Sequence, residues 1–96
     1  LQQSGVDYDV LSIPQDLRPA TALGGENLFI FKTNPDRERA AFTFAEYVLS
    51  QEFQTAWALG TGYLPVNQRS QQSLDYQRFI KDHPTVEVFL KQMAVA

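Results

Sequence analysis

Leu28-Phe29-Ile30-Phe31 is an unbroken run of large apolar side chains, and it constrains the fold more than any other feature of this chain. Successive side chains of a strand point to opposite faces, so a run without polar alternation needs apolar cover on both sides. Its length and its β-branched and aromatic content predict a strand, one that cannot form a stable sheet alone. A second strand is expected over Val6-Asp7-Tyr8-Asp9-Val10-Leu11-Ser12-Ile13, where partial alternation gives one inward face and Pro14 ends the pattern. Between them, residues 14–26 contain Pro14, Pro19 and the pair Gly24-Gly25. This composition predicts an extended connection with a close turn before Asn27.

The rest of the chain reads as helical. Asn34-Pro35-Asp36 combines a capping side chain, a preset first turn and an acid near the positive end of a helix dipole, which predicts a helix from about residue 35 onward. Ala41, Phe44, Ala45 and Val48 recur at helical spacing, leaving Arg37, Arg39 and Glu46 outside, while Phe42 and Leu49 widen the apolar surface. Ser50 is a candidate cap for a second helix carrying Phe53, Ala56 and Trp57, and Gly60 and Gly62 end it. Tyr63 therefore falls in a constrained connection, Leu59-Gly60-Thr61-Gly62-Tyr63-Leu64-Pro65. The polar stretch Asn67 to Ser73 precedes a weaker helix carrying Leu74, Tyr76, Phe79 and Ile80 and running to about Asp82. Pro84 can start a last helix, whose stripe is Val86, Phe89, Leu90 and Met93.

With 96 residues, 44% hydrophobic and 20% charged, the chain can build one modest core. A net charge of −3 gives no global attraction to nucleic acid or to an anionic membrane, and the basic residues Arg69, Arg78, Lys81 and Lys91 are dispersed among acids. The absence of cysteine removes disulfides, thiolate nucleophiles and thiolate metal ligands. Leu1-Gln2-Gln3-Ser4 lacks the basic region and apolar run of a signal peptide, and no later segment is long enough to span a bilayer. A processed exported protein and an internal fragment share that appearance.

Several residues carry candidate chemistry. His83, beside Asp82 and Pro84, has proton-transfer or metal-binding chemistry, but no second histidine accompanies it, so a boundary role is the simpler reading. Asp7 and Asp9 share strand parity and form either a carboxylate pair or a solvated strand edge. Gly24-Gly25 either makes a tight turn or presents successive amide hydrogens to a ligand oxygen; no Gly-x-Gly-x-x-Gly arrangement supports a nucleotide site. Tyr63 has the ring to stack on the apolar face of a sugar and the hydroxyl to hydrogen-bond it, with core packing as the competing role. Phe42, Phe44, Phe53, Trp57 and Phe89 have helical periodicity, which points to packing.

Taken in order, Ser12-Ile13-Pro14, Gly24-Gly25-Glu26-Asn27-Leu28-Phe29-Ile30, the helix Arg39 to Leu49, Ser50 to Trp57 and Gly60-Thr61-Gly62-Tyr63-Leu64-Pro65-Val66 resemble part of an extracellular solute-binding protein. The class resembled is family 1, the sugar and glycerol-phosphate receptors of ABC transporters, and the resemblance covers most of residues 12–95 of what reads as a C-terminal-half fragment. It implies an α/β fold, an incomplete type II periplasmic-binding-protein fold, mostly helical here with strands near 6–13 and 27–32.

The resemblance further implies that residues 1–23 belong to one lobe and approach the hinge, that 24–62 supply a strand and helices of the other lobe, and that 63–96 return to the first. Gly24, Gly25 and Tyr63 become the expected ligand contacts. The implied function is binding without covalent chemistry: capture of an extracytoplasmic sugar, polyol or sugar-like solute and its delivery to an ABC transporter permease. No cofactor, catalytic residue, metal site or nucleic-acid partner is expected, nor direct membrane insertion of this segment. The expected location is the periplasm or, as a lipoprotein, the cell surface, with the signal segment outside the fragment. The alternatives are an autonomous helical protein-interaction domain, a glycerol-phosphate receptor fragment and a small hydrolase; the last lacks a convergent nucleophile, base and stabilising group.

Overall fold

The structure is a computed structural model that describes residues 2–96, and the regular elements among them are all helical. A short 3-10 turn at Gln2–Ser4 precedes a long irregular segment. Then follow α1 (Pro35–Val48), α2 (Gln51–Thr61), α3 (Gln68–Gln71), α4 (Leu74–Asp82) and α5 (Thr85–Met93). The expected α/β fold is thus corrected: residues 6–13 and 27–32 form no strand, and no sheet occurs among the described residues. A strand exists through the ladder that pairs its backbone groups. Neither segment has a ladder partner, and the apolar run lies open to solvent, with Phe29 73% and Phe31 80% exposed. Burial on both faces, which the run demanded, is not supplied.

The expected close turn at Gly24-Gly25 is corrected as well. The backbone shows neither turn nor bend over residues 21–30, and neither glycine has a positive φ, whereas Gly5 and Gly62 do.

The local helix signals hold. Asn34 Oδ1 accepts from the Arg37 amide at 3.0 Å, Pro35 occupies the first turn, and Glu38 Oε1 accepts from the Thr33 amide at 2.9 Å. Ser50 Oγ accepts from the Phe53 amide at 3.2 Å and starts α2. Gly60 continues that helix, and Gly62 ends it at φ 80°, donating its N–H to Ala58 O at 2.9 Å. The single-turn α3 lies in the stretch read as polar connection; Asn67 Oδ1 caps it by accepting from the amides of Arg69 and Ser70.

The chain divides into two compact units, with the division inside α4: Gly24–Phe79 is one, and Leu1–Leu23 with Ile80–Ala96 is the other. In the Gly24–Phe79 unit, α2 packs against α1 and α3. Ala41, Ala45 and Val48 form the half-buried stripe of α1, but Phe42 and Phe44 point outward, so the packing role expected for these two phenylalanines is not met among the described residues. The core is small and partly polar: Ala58, Pro65 and Tyr76 are buried together with Gln54 and Ser70. Ser70 Oγ and Thr55 Oγ1 lie 2.8 Å apart, which joins α3 to α2.

In the other unit, the Ile13 amide donates to Gln92 Oε1 at 3.3 Å and the Thr21 amide to Val95 O at 3.4 Å, tethering the irregular segment to the C-terminal region. Val86, Leu90 and Met93 of α5 are half-buried, while Phe89 stays half-exposed. Among the described residues, no helix is long and apolar enough to cross a membrane.

Candidate functional site: an aromatic row ending at Tyr63

In the Gly24–Phe79 unit the rings of Tyr47, Phe53, Trp57 and Tyr63 form a row. Tyr47 meets Phe53 edge-on at 5.6 Å, Phe53 stacks on Trp57 at 5.7 Å, and Trp57 stacks on Tyr63 at 6.5 Å. The spacing explains the arrangement: Phe53 and Trp57 are one helical turn apart on α2, so their side chains are neighbours on one surface of the helix. Tyr63 joins them because Gly62 turns the chain back at the end of that helix. Tyr63 is 60% exposed, which leaves its ring at the surface rather than in the core.

The loop that carries Tyr63 is held by side-chain amides. Gln54 Oε1 accepts from the Val66 amide at 3.0 Å, while Gln54 Nε2 donates to Val48 O at 2.7 Å. Gln71 Nε2 donates to Pro65 O at 2.7 Å, and Asn67 Nδ2 donates to Leu49 O at 2.8 Å. At the start of the loop the Tyr63 amide donates to Thr61 Oγ1 at 3.2 Å. These bonds restrain the backbone on both sides of Tyr63 and leave its ring exposed.

Gly24 and Gly25 lie in the irregular stretch before α1, both exposed, with open space where a Cβ would stand. Their backbone is therefore accessible to a ligand oxygen. No hydrogen bond or ring contact among the described residues joins either glycine to Tyr63. The loop clamps at Gln54, Asn67 and Gln71 were not foreseen in sequence. Their only advance signal is an enrichment of amide side chains flanking the Gly-Tyr-Leu-Pro phrase.

The site has little charge. α2 carries a single charged residue, Glu52, and residues 62–67 carry none. Elsewhere in the same unit, Tyr76 is fully buried with its hydroxyl unpaired, and burial raises its phenol above the ordinary value.

His83 and the pair Asp7 and Asp9, singled out in sequence, lie in the other unit. Asp7, Tyr8, Asp82 and His83 line an open cleft of about 270 Å³ together with Val6, Pro84 and Thr85. Asp9 does not line that cleft; its Oδ1 accepts from the Val10 amide, the next in the chain, at 2.8 Å. Among the described residues, no group of three or more His, Cys, Asp or Glu is placed to hold a metal ion.

No curated protein and no solved structure matches the chain. A family model described as bacterial extracellular solute-binding protein matches residues 1–87. That span takes in the irregular segment, the aromatic row and the clamped loop, and the chain belongs to the bacterial extracellular solute-binding protein family.

Proposed function

We propose that this chain contributes one wall of the solute site in the binding component of an ABC importer, and that the solute is an extracytoplasmic sugar, polyol or sugar-like molecule delivered to the permease. The observation that carries this reading is the exposed Tyr63 ring, held at the end of an aromatic row by a loop pinned on both sides. Such a ring offers an apolar face for the C–H side of a pyranose and a hydroxyl for directional hydrogen bonding. Gly24 and Gly25 are the proposed backbone contacts, since nothing beyond their Cα atoms obstructs approach.

Family membership supports solute binding at the broad level, and the more specific resemblance to family 1 sugar receptors is part of the proposal. A neutral ligand is favoured over glycerol phosphate, because α2 and the Tyr63 loop offer no basic side chain to an anion. The proposed location is extracytoplasmic. Binding would exchange solvent contacts for ring packing and hydrogen bonds, with no covalent step.

Calorimetric titration with a panel of sugars, polyols and glycerol phosphate tests this reading. Saturable heat with a neutral member supports it; heat with glycerol phosphate alone would transfer the assignment to the anionic ligand. Absence of heat across the panel counts against both.

A second reading, a helical protein-interaction domain, is favoured by a different observation. Phe42 and Leu49, seven residues apart and so on one side of α1 and its C-cap, both stand exposed, an apolar patch of the kind that partners cover.

A further inference from the structure

The loop that carries Tyr63 leaves α2 at Gly62, whose N–H donates to Ala58 O, and it is brought back to the same helix by Gln54. Residues 62–66 therefore run between two attachment points on α2: the cap at its end, and the Gln54 side chain in its first turn. Trp57, the stacking partner of Tyr63, lies on α2 between Gln54 and Ala58. Helix, loop and ring pair make a closed circuit.

Gln54 is suited to this task by burial and by chemistry. It is 7% exposed, and it uses both ends of its amide: Nε2 donates to Val48 O at 2.7 Å and Oε1 accepts from the Val66 amide at 3.0 Å. Capping the end of α1 accounts for the first bond only. The second reaches twelve residues along the chain and fixes the far side of the Tyr63 loop. An apolar residue of similar size would fill the space but would leave the Val48 carbonyl and the Val66 N–H without their partner in a partly buried setting. A glutamine is also uncharged at all ordinary pH values, so the fastening does not titrate.

We infer that Gln54 is a positioning residue for Tyr63: by tying the Val66 amide back to α2 it holds the Tyr63 ring parallel to Trp57 and available to solute. The claim rests on the proposed solute site, but its geometric half is measurable without any ligand.

The test uses the full chain with the substitution Gln54→Leu. Three quantities are read: amide exchange at Val66, the Tyr63 ring-proton shifts set by the Trp57 ring current, and affinity for maltose, glycerol and glycerol 3-phosphate as probes. Helical circular dichroism is expected to persist, Val66 exchange to accelerate about tenfold or more, and the Tyr63 shifts to move toward those of a free tyrosine. Affinity for whichever probe binds the unsubstituted chain is expected to fall by up to about tenfold, the equivalent of one hydrogen bond.

Unchanged Tyr63 shifts and Val66 exchange in a folded variant would overturn the assignment. If Gln54→Leu does not fold, the unsubstituted chain decides. Its Val66 amide should exchange about tenfold or more slowly relative to that of exposed Leu11 after correction for intrinsic rates, and equal protection overturns the claim. If no probe binds but the Tyr63 shifts respond as stated, the solute reading fails and the positioning role stands.

Discussion

The rings of Trp57 and Tyr63 lie within 9° of parallel, with centroids 6.5 Å apart. One belongs to α2 and the other to the loop beyond it, so their alignment reports how the loop is folded back. The row continues through Phe53 to Tyr47, which makes it an extended aromatic feature of this unit.

Tyr63→Ala removes the exposed end of the row. Solute affinity is expected to fall by about 1 kcal/mol, roughly fivefold, the usual worth of one aromatic stacking contact beyond area burial. Helical content should be unchanged because the ring is 60% exposed. Calorimetry beside circular dichroism checks both, and unaltered affinity in a folded variant rejects Tyr63 as a ligand contact.

The glycines separate by backbone conformation. Gly62 sits at φ 80° as the cap of α2, where an added Cβ is strained, so Gly62→Ala should lose about 1 kcal/mol in urea unfolding. Gly24→Ala has open space and no positive φ, and stability should change by less than about 0.5 kcal/mol. A loss of solute affinity in Gly24→Ala would then report ligand contact directly.

Asn34 caps α1 from an exposed position. Asn34→Ala should lower stability by about 1 kcal/mol, measured by chemical unfolding, and Asn34→Gly by less.

Tyr76 is buried with an unpaired hydroxyl, and desolvation raises its phenol above 10.0. The unfolded chain therefore releases this proton at a lower pH than the folded one. The stabilisation is fully present below about pH 10 and is lost as pH rises through the folded value. Tyr76→Phe should be as stable as the original or up to about 1 kcal/mol more so, because it removes a polar group with no partner. It should also lessen the loss of stability at alkaline pH. Unfolding curves at pH 8 and above pH 10 test both statements.

Much apolar surface is uncovered. Within the Gly24–Phe79 unit alone, Leu28, Phe29, Phe31, Phe42, Phe44 and Leu49 are all more than half exposed. Concentration-dependent association is expected in sedimentation, and a monomer across the accessible range would contradict it.

The helices were legible because their signals are local. Asn34, Pro35, Ser50 and Gly62 act within a few residues of themselves, and each does in the structure what its type predicts. The strands were misread because Leu28-Phe29-Ile30-Phe31 states only a demand for cover, whereas a strand needs a partner that no local pattern can supply. Phe42 and Phe44 show the same limit on a helix: periodicity identifies an apolar face but not whether anything covers it. The Tyr63 connection was legible from its glycines, while the clamps at Gln54, Asn67 and Gln71 were not. Amide side chains look alike in sequence whether they bridge buried backbone groups or meet water.

The most direct test is a titration of the full chain, followed by nuclear magnetic resonance, with the sugar or polyol that gives calorimetric heat. The account predicts that the Tyr63 ring signals and the Gly24 and Gly25 amide signals move together and saturate at one concentration. Saturable shifts elsewhere in the chain, with these three residues unmoved, would contradict it.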